Sequence, residues 1–166
     1  RLAEGEAKPA ARPVLTVREA LGDSAYRAAL ASSFANGWSS FGVRNSLLPL
    51  FAAAALSAGP EIAGISLTAF AAGTAAVLTF SGRLADSWGR RPLVLTGLAV
   101  NALATAAIGF SSNVPMFLVV SAIAGMGTGL LNPAQQAAVG DVVGNDRSGG
   151  KVLATFQMAS DSGAIV

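Results

Sequence analysis

The sequence predicts an all-α integral membrane protein, a bundle of long apolar helices joined by short polar connectors. Three observations carry that expectation. Hydrophobic residues make up 52% of the chain and charged ones only 12%, about half the charge of an ordinary soluble domain. The apolar residues are gathered into runs of about twenty, enough at about 1.5 Å per residue to cross a hydrocarbon core of about 30 Å. Ten of the eleven Lys and Arg residues fall in alternate segments between those runs, and the segments in between hold none. That alternation fixes an orientation with the basic segments in the cytoplasm.

Taken in order, residues 1–25 read as a polar cytoplasmic tail. Thr16 and Glu19 stand at capping-box spacing, which predicts a short helix lying at the membrane surface. Asp23 and Ser24 are suited to cap the helix that follows. Residues 26–166 read as a partial transmembrane bundle with spans at about 28–56, 62–81, 93–110 and 114–139, and a fifth begun at 152–166. The first span contains Asn36, Arg44, Asn45 and Pro49. The connectors are too short to hold a soluble domain. With Arg1 at one end and an apolar run cut at Val166, the chain reads as a fragment of a longer protein.

Composition also removes chemistry. Without any Cys or His there is no disulfide framework, no Cys/His metal site and no Ser-His or Cys-His nucleophile pair. No cofactor, catalytic residue, metal or nucleic-acid partner is expected, and the protein does not read as an enzyme.

Between the second and third spans lies GRLADSWGRRP. Gly82 and Gly89 read as residues for a tight turn, and Pro92 suits the first turn of the third helix. Asp86 at a membrane boundary calls for a cation, and Arg90 and Arg91 are near. Gly82, Leu84, Ala85, Asp86, Gly89, Arg90 and Arg91 resemble the loop motif G-x-L-A-D-x-x-G-R-R of the major facilitator superfamily, in the loop where that family has it. Ser87 departs from the pattern, since a basic residue is common there. The resemblance implies a major-facilitator-type bundle of twelve helices in two halves, of which this chain supplies an incomplete first half. Its partners are then the missing C-terminal half, the lipid bilayer, a small-molecule substrate held between the halves, and a coupling proton. The resemblance further implies that Asp86 meets a helix of the second half. Arg90 is expected to meet an acid at the end of the fourth helix, for which Asp141 is the match. Together these form a latch that closes the cytoplasmic side.

Several polar residues lie within the spans. The glycines Gly125, Gly127 and Gly129 read as close-packing residues and Pro133 as a bend. Ser121 stands where the family's fourth helix carries an Arg linked to proton coupling. Arg44, Asn132, Gln135, Gln136, Gln157 and Asp161 are the candidates for a substrate or proton pathway, because intramembrane polar groups face a cavity or a partner. Asp161 is expected near mid-membrane, as a proton carrier or a binder of cationic substrate. A salt bridge to Arg44, across an axial offset of about 10 Å, is its structural alternative. Arg44 is placed toward the outer leaflet, within snorkelling reach of water. Gly163 stands where drug–proton antiporters of the superfamily begin G-x-x-x-G-P. The function expected is a secondary transporter of the plasma membrane, an exporter driven by an ion gradient. Uptake of a nutrient or organic solute, and a non-transporting protein on the same scaffold, stay open.

Overall fold

A computed structural model describes residues 13–57, 59–144 and 148–165. It is a bundle of helices: α1 Val17–Ala20, α2 Ser24–Gly37, a π-helical turn Trp38–Val43, α3 Arg44–Leu56, α4 Pro60–Trp88, α5 Arg90–Ile108, α6 Val114–Val143 and α7 Gly150–Ile165. Among the described residues α4, α5 and α6 are each long and apolar enough to cross a membrane. Arg1, Lys8, Arg12 and Arg147, which contribute to the charge alternation, lie outside the described residues.

The ends of the helices follow local chemistry. Thr16 Oγ1 accepts from the Glu19 amide while Glu19 Oε2 accepts from the Thr16 amide, closing the expected capping box on α1. Asp23 Oδ1 accepts from the Ala25 amide at 2.7 Å and caps α2. The tail is not merely laid on a surface. Leu15 and Ala20 are buried with Tyr26, Val139, Val143, Val152 and Phe156 in one apolar cluster that seals this end of the bundle. Tyr26 Oη donates to the Val152 carbonyl at 2.8 Å within it.

The turn glycines behave differently from the sequence expectation. Helix α4 continues unbroken through Gly82 to Trp88, and a Cβ at Gly82 would meet open space. The chain reverses only at Gly89, with φ +84° and ψ 163°, a region closed to residues with a side chain. So one glycine makes the turn, and Gly82 makes neither a turn nor a close approach.

Helix α6 packs along both α4 and α5, and α2 packs along α7 and α6. Two seams of the same construction hold the helices close. In one, a Cβ on Gly125 would overlap the Phe70 carbonyl of α4, and one on Gly73 would overlap the Ala122 carbonyl of α6. In the other, Gly37 meets the Ser160 carbonyl of α7 and Gly163 meets the Phe34 carbonyl of α2. Phe34 and Gly37 therefore stand to α7 as Ala122 and Gly125 stand to α4. Three residues beyond each of these glycines, Ser40 Oγ and Thr128 Oγ1 face each other at 3.4 Å. The bundle thus carries an internal two-fold relation between its first and fourth apolar segments.

The π turn sets which residues of the first segment face inward. Ser32, Asn36, Ser40, Arg44, Leu48 and Ala52 are all buried at a spacing of four. In a straight α-helix that spacing drifts by about 40° per step. A wider i→i+5 turn in the middle takes back part of the drift. It keeps one polar stripe aimed at α6.

Candidate functional site

Two places gather the polar residues, one at the end of the bundle and one in its middle. At the end, α6 and α5 bring Asp141 and Arg90 together. An ion pair joins Arg90 Nη1 to Asp141 Oδ2, and the same Nη1 donates to the Ala137 carbonyl at 2.8 Å. The pair is the one salt bridge among the described residues, and it is open to solvent. Arg90 is the first residue of α5, placed there directly by the Gly89 turn. Asp86 is exposed and is not paired with Arg90 or Arg91, contrary to the sequence expectation. The physical reason is direction. Asp86 lies on the last turn of α4, while the backbone at Gly89 turns Arg90 back toward α6. Leu84 is half-buried and Arg91 is exposed.

In the middle, α2, α6 and α7 enclose a cleft of about 160 Å³ lined by the amides Asn36, Asn132, Gln135, Gln136 and Gln157. Four of these are pathway candidates from the sequence. Asn36 is an addition. Its Nδ2 donates to Asn132 Oδ1 at 3.0 Å, its Oδ1 accepts from Ser40 Oγ at 3.1 Å, and Gln135 Nε2 donates to Ser32 Oγ at 2.7 Å. Asn101 of α5 completes the network by donating to Ser39 Oγ at 2.9 Å. The signal for both was present in the sequence, as asparagines inside apolar runs. What was absent was the phase of each helix.

The cleft is polar without charge. A buried amide network of this kind is inexpensive while fully bonded and costly when half-satisfied, so its members hold one another's orientation. Asp161 lies on the exposed face of α7, where Oδ1 accepts from Gln157 Nε2 at 3.4 Å. It is therefore tied to a cleft residue but is not buried, as a mid-span position had suggested. The opposite face of α7 carries Val152, Phe156 and Gly163, which take the contact with α2. On the other side of Gln135 a groove of about 370 Å³ runs between α2 and α5, walled by Ala28, Ala29, Val94 and Leu95 with Arg90 and Arg91 at its mouth.

Arg44 sits elsewhere. It is 2% exposed, so it does not snorkel, and no ion pair joins it to Asp161. Its Cζ lies 3.8 Å from the centroid of the Phe70 ring on α4. The rise along a helix gives depth but not azimuth, and the π turn rotates this residue inward onto Phe70 of α4. Ser121 is fully buried, and its Oγ has no hydrogen-bond partner among the described residues.

Residues 29–166 match the model of the Major Facilitator Superfamily. The chain belongs to that superfamily. A curated relative, the multidrug transporter protein MdtP of Bacillus subtilis (strain 168), is 28% identical over 102 residues, 58% of this chain. The chain covers 18% of that relative's length. No solved structure matches. Superfamily membership and three apolar helices of membrane length among the described residues make the chain a multi-pass membrane protein.

Proposed function

We propose that this chain forms most of the first half of a secondary transporter that exports small, largely apolar compounds in exchange for protons moving down their gradient. The observation that carries the reading is the amide-lined cleft between α2, α6 and α7. It offers hydrogen bonds without fixed charge, and aromatic side chains stand beside it in Phe41 and Phe156. Such a lining suits varied apolar solutes with one or two polar atoms. The weak similarity to a multidrug transporter points the same way. In this reading the tail, the Gly82–Arg91 segment and the end of α6 face the cytoplasm of the plasma membrane.

The Arg90–Asp141 pair and the Asp86 carboxylate form the cytoplasmic latch. Because the pair is exposed, opening it costs little, about 0–1 kcal/mol. That suits a contact which must break and re-form in each cycle. Asp161 is the proton-exchanging carboxyl, coupled to the cleft through Gln157.

Everted membrane vesicles from cells expressing the full-length parent test the direction and the coupling. Acidifying the lumen should drive uptake of a lipophilic dye such as ethidium, and a protonophore should abolish it. Dye uptake only in right-side-out vesicles would establish an importer and end the export reading.

A further inference from the structure

Arg44 is a buried cation whose polar atoms no described residue satisfies. Nε, Nη1 and Nη2 are all sealed from solvent and have no hydrogen-bond partner among the described residues. The Phe70 ring beneath the guanidinium attracts the charge but accepts no hydrogen bond from its N–H groups. A buried charge with its donors unmet is costly. No described carboxylate answers it, since the single salt bridge is Arg90–Asp141 at the end of the bundle.

The internal two-fold relation says what stands opposite. Gln135 pairs with Ser32, Asn132 with Asn36 and Thr128 with Ser40, one turn apart along two antiparallel helices. Continued by one turn, the same register would set Arg44 opposite Ala124, with Ser121 a turn further. Arg44 occupies in its segment the place that Asn132 occupies in α6, four residues beyond Ser40 and Thr128 respectively. Asn132 is answered by Asn36. The equivalent position facing Arg44 is Ala124, which has no polar side chain. Ser121 is the counterpart of Ser33, whose Oγ donates to the Phe156 carbonyl at 3.2 Å. Ser121 Oγ has no such partner. At the level of Phe70 the bundle therefore holds one cation and one hydroxyl, both without acceptors among the described residues.

We infer that Arg44 is a binding residue for a single small carboxylate that comes from outside the chain. The planar guanidinium offers a two-donor edge matched to a carboxylate. Ser121 Oγ supplies a third donor, and the Phe70 face keeps the arginine plane oriented. Arg44 is itself 2% exposed, so the site admits only a small group. The site is distinct from the amide cleft and holds whichever direction the protein transports.

The test uses the full-length parent in detergent, with sodium formate as the probe against sodium chloride at equal ionic strength. Formate should raise the thermal unfolding midpoint of the wild-type protein by about 2–4 °C when it is well above its dissociation constant. Arg44→Gln should abolish the formate-specific shift, and Arg44→Lys should keep less than half of it. Ser121→Ala should raise the half-saturating formate concentration about threefold to tenfold, which keeps the idea open to refutation if Arg44→Gln fails to fold. Equal midpoints in formate and chloride for the wild-type protein would overturn the inference, and so would a formate shift that survives in Arg44→Gln. A formate shift in a protein that moves no dye would leave the inference standing and count only against the transport reading.

Discussion

Adding one methyl group to Gly125 should destabilise the protein, while adding the same group to Gly82 should not. At Gly125 a new Cβ would overlap the Phe70 carbonyl oxygen and stand 2.8 Å from its carbonyl carbon. That neighbour is helix backbone and cannot rotate away. Relief requires α4 and α6 to part, which also disturbs Gly129 against Thr74 and Gly73 against Ala122 on the same seam. Overpacking of a close interface costs about 1–3 kcal/mol, and here the upper part of that range applies because two helices must move together. At Gly82 the added methyl meets nothing. Alanine is the better helix former there by about 0.5–1 kcal/mol. Thermal unfolding of the detergent-purified parent should therefore show a fall of several degrees for Gly125→Ala and no fall for Gly82→Ala. Equal midpoints for the two variants would refute the seam.

Other consequences follow from particular contacts. Arg90→Ala and Asp141→Asn should each impair transport while changing stability by less than about 1 kcal/mol, and the double variant should be little worse than either; additive losses in dye transport would show that the two residues do not act as a pair. Gly89→Ala should cost about 1–3 kcal/mol from its positive φ alone, measured as a lowered unfolding midpoint; a midpoint within a degree of wild type would contradict the turn geometry. Asp161→Asn should abolish pH-driven transport but leave substrate exchange, and Arg44→Ala should not mimic it; full pH-driven transport by Asp161→Asn would end the proton-carrier role. Impermeant thiol reagents on intact cells should label Gly59→Cys and spare a cysteine introduced at Gly144, and the reverse pattern would invert the orientation.

The parts of the site that a motif or a spacing encodes were legible in the sequence. Arg90 and Asp141 were paired by motif alone, because one residue follows a fixed turn and the other ends a helix. The polar cleft was legible as a set of amides in apolar runs, which have to find partners in a membrane. Its membership was not. Asn36 and Asn101 join Asn132 and Gln135 through helix rotation, and rotation in the first segment depends on a π turn that no residue type announces. Arg44 illustrates the same limit. Counting residues gave its height, and only packing against Phe70 gave its direction. Gly82 and Gly89 are the same residue in one motif, but only the second ends its helix, because α4 has no reason to stop before Trp88. Asp161 was expected to be buried from its place along the span, whereas α7 turns Phe156 and Gly163 inward and leaves it on the other face.

The central claim is that the amide cleft holds the transported compound. Cysteine protection tests it most directly, since this chain has no cysteine of its own. Gln136→Cys and Gln157→Cys would be introduced separately into a parent otherwise free of cysteine, and modified by a polar thiol reagent with and without a saturating concentration of the transported dye. The account predicts that dye slows modification at both positions by about tenfold or more, as occupancy near 90% requires, and leaves a cysteine at Gly59 unaffected. Unchanged rates at both cleft positions, in a protein that transports the dye, would contradict it.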